Sequence, residues 1–143
     1  MLTRVRLVLV LSALALSIAF AACGQSDEEK AKADVCDARD DIQANVKELQ
    51  SLTLGTVTAD KVRSSLNAIK GDLEKIVDAQ GDLSDNQKQQ VQKANEAFKS
   101  KVKALAGDIG RSVSIEDAAK QLESDFAELA TTYEQSLAPI DCG

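Results

Sequence analysis

Between residues 62 and 76, the apolar side chains Val62, Leu66, Ile69, Leu73 and Ile76 recur in steps of four, three, four and three. That interval keeps them on one face of an α-helix, the seam along which helices associate. Three more segments carry a helical stripe. One comprises Val35, Ile42, Val46, Leu49 and Leu52, with Ala31 and Ala38 in its gaps. Another runs through Val91, Ala94, Phe98, Val102, Leu105 and Ile109, and the last through Ile115, Ala119, Leu122, Phe126, Leu129, Tyr133 and Leu137. A helix apolar along one stripe has to bury that stripe, and here the available partners are other helices.

Start and stop signals flank the stripes. Ser26 with Glu29 and Ser84 with Gln87 have the capping-box spacing, in which two side chains satisfy each other's free backbone N–H groups. Thr58 and Ser114 stand as N-caps, followed by the acids Asp60, Glu116 and Asp117, which suit a helix N-terminus. Gly55, Gly81 and Gly110 punctuate the ends, and the sole proline, Pro139, stops the last helix. The spacing predicts helices over 30–53, 59–80, 85–109 and 115–137, the first beginning anywhere from Asp27 to Val35. Short connections make successive helices antiparallel neighbours. The expected fold class is therefore all-α, an antiparallel up-down bundle of four helices, with its first and last helices side by side.

The first 22 residues do not belong to that pattern. Arg4 and Arg6 are the only charges before Asp27, and they precede an apolar run of 16 residues from Leu7 to Ala22. A basic start, an apolar stretch and small residues at its end make an export signal. The run is shorter than the ~20 residues a helix needs to span a bilayer, which favours removal over a permanent span. The segment Ala19-Phe20-Ala21-Ala22-Cys23 resembles the lipobox of bacterial lipoproteins, with Phe20 where that family usually carries Leu. The resemblance implies cleavage between Ala22 and Cys23, a diacylglyceryl group on the Cys23 thiol, and often acylation of the new amino group. Two or more acyl chains anchor a protein stably where one does not. The expected organisation is a signal peptide at 1–22, a lipidated cysteine and tether at 23–34, and a helical bundle domain at 35–143. Localisation to the bacterial cell membrane or outer membrane follows from the same resemblance. Ordinary signal-peptide cleavage, leaving Cys23 a free thiol, is the competing reading.

With Cys23 assigned to lipid, Cys36 and Cys142 remain as a pair in a chain sent where disulfides persist. A bond between them is expected, and both cysteines remaining reduced is the alternative. Loss of the signal also shifts the formal net charge from −6 to −8, because it removes two arginines and no acids. Such a balance disfavours nucleic acid as a partner and supplies no polybasic membrane patch. The expected membrane contact is thus the lipid on Cys23 alone. The charge is uneven along the chain: residues 27–54 carry −4, 55–84 carry −1, 85–111 carry +3 and 112–143 carry −6.

The sequence contains no histidine. That removes the Ser-His and Cys-His nucleophile pairs, the usual proton shuttle and most catalytic zinc sites. No phosphate-binding glycine loop or paired-cysteine redox motif occurs, and no cofactor is expected. Asp78, Gln80, Asp82 and Ser84 alternate like the start of a calcium loop, but Leu83 and Gln89 occupy the positions of its glycine and closing glutamate. Leu83-Ser84-Asp85-Asn86-Gln87 resembles a single degenerate copy of the LTxxQ signature of periplasmic helical chaperone-like proteins, although helix-start chemistry explains the same letters. The acids Asp37, Asp40 and Asp41 read as a solvated helix face. Glu116, Glu123, Asp125, Glu128 and Glu134 on the last helix are the candidate surface for a basic protein partner. The function expected is that of a non-catalytic, membrane-anchored binding or structural module of the cell envelope. A carrier holding a small apolar ligand between its helices, or a periplasmic chaperone-like helical protein, is the alternative.

Overall fold

The computed structural model describes residues 24, 26–52, 55–111 and 115–143, with backbone only at 110, 111 and 115–120. It consists of four helices: α1 (Asp27–Ser51), α2 (Ala59–Ala79), α3 (Asp85–Arg111) and α4 (Ile115–Ser136). A single 3-10 turn, Gln80–Asp82, joins α2 to α3. The described residues contain no strand.

Local chemistry sets the helix starts. Ser26 Oγ accepts from the Glu29 N–H at 3.2 Å while the Ser26 N–H donates to Glu29 Oε2 at 3.0 Å. Asp27, Glu28 and Glu29 add negative charge to this first turn, where the helix dipole favours it. Thr58 Oγ1 accepts from the Lys61 N–H at 3.2 Å and caps α2. The box expected at Ser84 takes another form, because the Ser84 hydroxyl donates to Gln87 Oε1 at 2.7 Å. Ser114 lies outside the described residues. Gly110 falls inside α3, whereas Gly55 and Gly81 sit in the connections. After Ser136 the carbonyl of Tyr133 accepts from both Leu137 and Ala138, and Pro139 has no N–H with which to continue the ladder.

The segment 24–34, open between tether and helix, is helical from Asp27, and Ala31 within it is buried in the core. Packing fixes this boundary: Ala31 continues the stripe through Val35, Ala38, Ile42, Val46 and Leu49. Each helix packs on the next and α4 returns to α1, while among the described residues the backbones of the diagonal pairs stay apart. The core draws Val62, Leu66, Ile69, Leu73 and Ile76 from α2, and Val91, Ala94, Phe98, Val102 and Leu105 from α3. From α4 it takes Phe126, Leu129, Ala130 and Tyr133. Leu83, Leu137 and Ile140, outside the helices, complete it. Phe98 and Tyr133 meet edge to face, with centroids 6.0 Å apart.

Contacts between helices join neighbouring elements. Asp41 of α1 lies 3.9 Å from Lys75 near the end of α2. Lys101 of α3 pairs with Glu128 of α4. Cys36, early in α1, is bonded to Cys142 beyond the end of α4, with a Cα–Cα distance of 5.8 Å. The expected disulfide is present.

Candidate binding groove

A groove of ≈ 650 Å³ lies between α1 and α2. Asp27, Asp34, Asp37 and Asp41 border it from α1, and Asp78 and Asp82 from the α2 end and the turn that follows. Ala31, Ala38 and Ala79 contribute its small side chains, and Lys30 and Lys75 are its only cations. The helical repeat makes this arrangement. Asp27, Asp34 and Asp41 stand seven residues apart, two turns each, so they share one flank. Ala31 and Ala38 lie beside them on the edge of the core stripe, where a larger residue would fill the groove.

Lys75 is largely spoken for. Its Nζ donates to Asp72 Oδ1 at 2.7 Å, and Asp72 is buried. The hydrogen bond and charge of Asp72 hold the Lys75 ammonium above the ordinary lysine range; Asp41 adds to this, and partial desolvation opposes it. One cation therefore serves Asp72 as well as the groove. Among the described residues, no three acids converge closely enough to hold a metal ion. The groove is instead an extended electrostatic surface, about 20 Å long from Asp27 to Asp41 at 1.5 Å per residue.

The surface expected on α4 is not assembled as a unit. Asp125 is a correction: it is buried at 7% exposure. It precedes Phe126 and falls between Leu122 and Leu129 on the apolar stripe, so it points inward. Gln121 Nε2 donates to Asp125 Oδ1 at 3.1 Å, and Oδ2 has no hydrogen-bond partner. Glu128 is engaged by Lys101. Glu123 and Glu134 are exposed, and Glu128 sits about 140° round the helix from Glu123 at 100° per residue. The Glu116 side chain, Ala22 and Cys23 lie outside the described residues.

Sequence reasoning missed the groove because its two walls come from different helices. Asp37 and Asp41 read as a solvated face, and Asp78 and Asp82 as an acidic connection. The signal that could have found it was the heptad of Asp27, Asp34 and Asp41 beside Ala31 and Ala38.

No family model, no curated protein and no solved structure matches the chain. No helix among the described residues is long and apolar enough to cross a membrane.

Proposed function

We propose that the chain is an exported bacterial lipoprotein, anchored through lipid on Cys23, whose bundle is a non-catalytic binding module of the cell envelope. We further propose that the groove between α1 and α2 takes a basic segment of a protein partner. The observation that carries this reading is the gathering of six aspartates around one groove against two lysines. A lysine- or arginine-rich segment lying along it would meet carboxylates on both sides, an attraction that steers encounter and falls with salt. The bundle interior offers less to a carried ligand, since its stripes are filled by Phe98, Tyr133 and branched aliphatic side chains. The lack of histidine supports a non-catalytic role.

A synthetic lysine-rich peptide tests the groove by calorimetry on the full chain. Binding should occur at low salt and weaken as salt rises. It should be lost in an Asp34→Asn, Asp37→Asn, Asp78→Asn variant and retained when Glu123 and Glu134 are made neutral. Equal losses in the two variants would sink the assignment to this groove. Labelled palmitate tests the anchor separately: incorporation should occur in the wild type and disappear in Cys23→Ala.

A further inference from the structure

The four helices form a ring, and among the described residues the backbones of α1 and α3 stay apart across it. At the end where α1 begins, the chain's own C-terminus fills the gap. Ile140 and Asp141 sit among Lys32, Val35 and Cys36 of α1, Leu83 in the connection, and Gln87, Gln90 and Val91 of α3. Ile140 is buried there, and a void of only about 20 Å³ remains. The tail thus lies against both α1 and α3 at this end of the bundle.

Its attachments are few. The Cys36–Cys142 disulfide is the covalent one. Arg39 Nη1 donates to the Ile140 carbonyl at 2.9 Å. Lys32 and Asp141 are 4.0 Å apart with Asp141 mostly exposed, a pair worth little in solvent. Cys36 and Cys142 are each partly exposed. Helix α4 has its own hold on the bundle. Leu129 and Leu137 are fully buried, and Tyr133 both packs on Phe98 and donates to the Arg39 carbonyl at 3.3 Å.

We propose that residues 138–143 form a strap, locked by the disulfide, over an apolar socket between α1 and α3, and that a protein dithiol releases it. A thiolate of the dithiol attacks one sulfur, the Cys36–Cys142 bond breaks, and a mixed disulfide forms. The second thiol of the reductant then displaces the remaining cysteine. Cys36 and Cys142 each leave as a thiol with a proton, and the reductant ends as a disulfide, oxidised by two electrons. Release frees Ile140 to leave the buried cluster that it shares with Val35, Leu83 and Val91.

Hydrogen exchange on the full chain, oxidised and after phosphine reduction, tests the strap. The amides of Ala138 and Ile140 should exchange about tenfold or more faster on reduction and become less protected than those of α1 to α4, as for a segment that opens locally below the global unfolding free energy. The Cys36→Ser, Cys142→Ser variant should match the reduced protein without reductant. Unchanged protection of the tail, or a tail that after reduction is as well protected as α1 to α4, would overturn the proposal. A variant that keeps the bond, Ile140→Ser, supplies a second readout. An environment-sensitive naphthalene sulfonate dye should bind this variant and the reduced wild type, and not the oxidised wild type. Equal dye binding by the oxidised and reduced wild type would also overturn it.

Discussion

The hydroxyl of Tyr133 donates to the backbone carbonyl of Arg39 at 3.3 Å, linking the last turn of α4 to the first half of α1. The same residues reach the tail, since the Arg39 guanidinium donates to the Ile140 carbonyl and also pairs with Asp40. Tyr133 is buried, so its ring is core while its hydroxyl serves as a fastener. Tyr133→Phe should therefore cost about 1 kcal/mol of unfolding free energy, the loss of one hydrogen bond. Tyr133→Ala should cost about 3–5 kcal/mol because it also leaves a cavity beside Phe98. Urea unfolding of both variants measures the difference: no loss in Tyr133→Phe would mean the hydroxyl contributes nothing, and equal losses would mean the ring adds nothing to it.

Alkaline pH should weaken the fold through the same residue. Burial raises the Tyr133 pKa above its ordinary 10.0; Arg39 pulls it down and Asp40 pushes it up. A raised folded-state value means the neutral phenol is favoured in the fold. Its stabilising contribution is then complete below pH 10 and is lost as pH rises through the folded-state value. Lys75, held above 10.5, loses its share in a neighbouring window. Comparing wild type with Tyr133→Phe across this range isolates the tyrosine: the variant should show the shallower decline.

Reduction of Cys36–Cys142 should destabilise the domain by up to ~4.7 kcal/mol, the chain-entropy value for a loop of roughly 100 residues. The loss should be larger at low salt, because the bond joins the two most acidic quarters of the chain and salt screens their repulsion. Unfolding of oxidised and reduced protein at two salt concentrations checks this. A salt-independent loss would argue against repulsion between α1 and α4.

Asp125 offers a test of inward placement. Its Oδ2 is buried without a partner, a costly arrangement for a carboxylate. Asp125→Leu should raise stability by about 1 kcal/mol and leave lysine-rich peptide binding unchanged. Lower stability together with weaker peptide binding would return Asp125 to the surface.

Ser26→Ala should fray the start of α1. Loss of the bond from the Glu29 N–H to Ser26 Oγ is expected to cost about 1 kcal/mol, read as faster exchange of the amides at 27–30. No change there would assign the helix start to packing of Ala31 instead.

The helices were legible because each signal is local. Apolar steps of three and four, the caps at Ser26 and Thr58, and the stop before Pro139 are written within a few residues of where they act. Tyr133 and Phe98 were assignable to the core for the same reason. Asp125 was not: a carboxylate normally points to water, and only the phase of Phe126 and Leu129 turns it inward. The groove and the strap were harder still, because each needs residues far apart in sequence to stand together.

The sequence by itself determined four amphipathic helices, their approximate limits and a cysteine pair able to close the ends of the bundle. These follow from periodicity, capping chemistry and residue type. Only the tertiary structure decided which acids share a surface. The rotation of α1 against α2 brings Asp34 and Asp37 to the groove that Asp78 and Asp82 also border, and the rotation of α4 sends Asp125 to the core. It alone also decided that Ile140 fills the space between α1 and α3. The physical reason is that a charge or an apolar side chain acts on whatever lies within a few ångströms. Along a chain that neighbourhood is read from spacing, but between helices it is set by how their stripes pack.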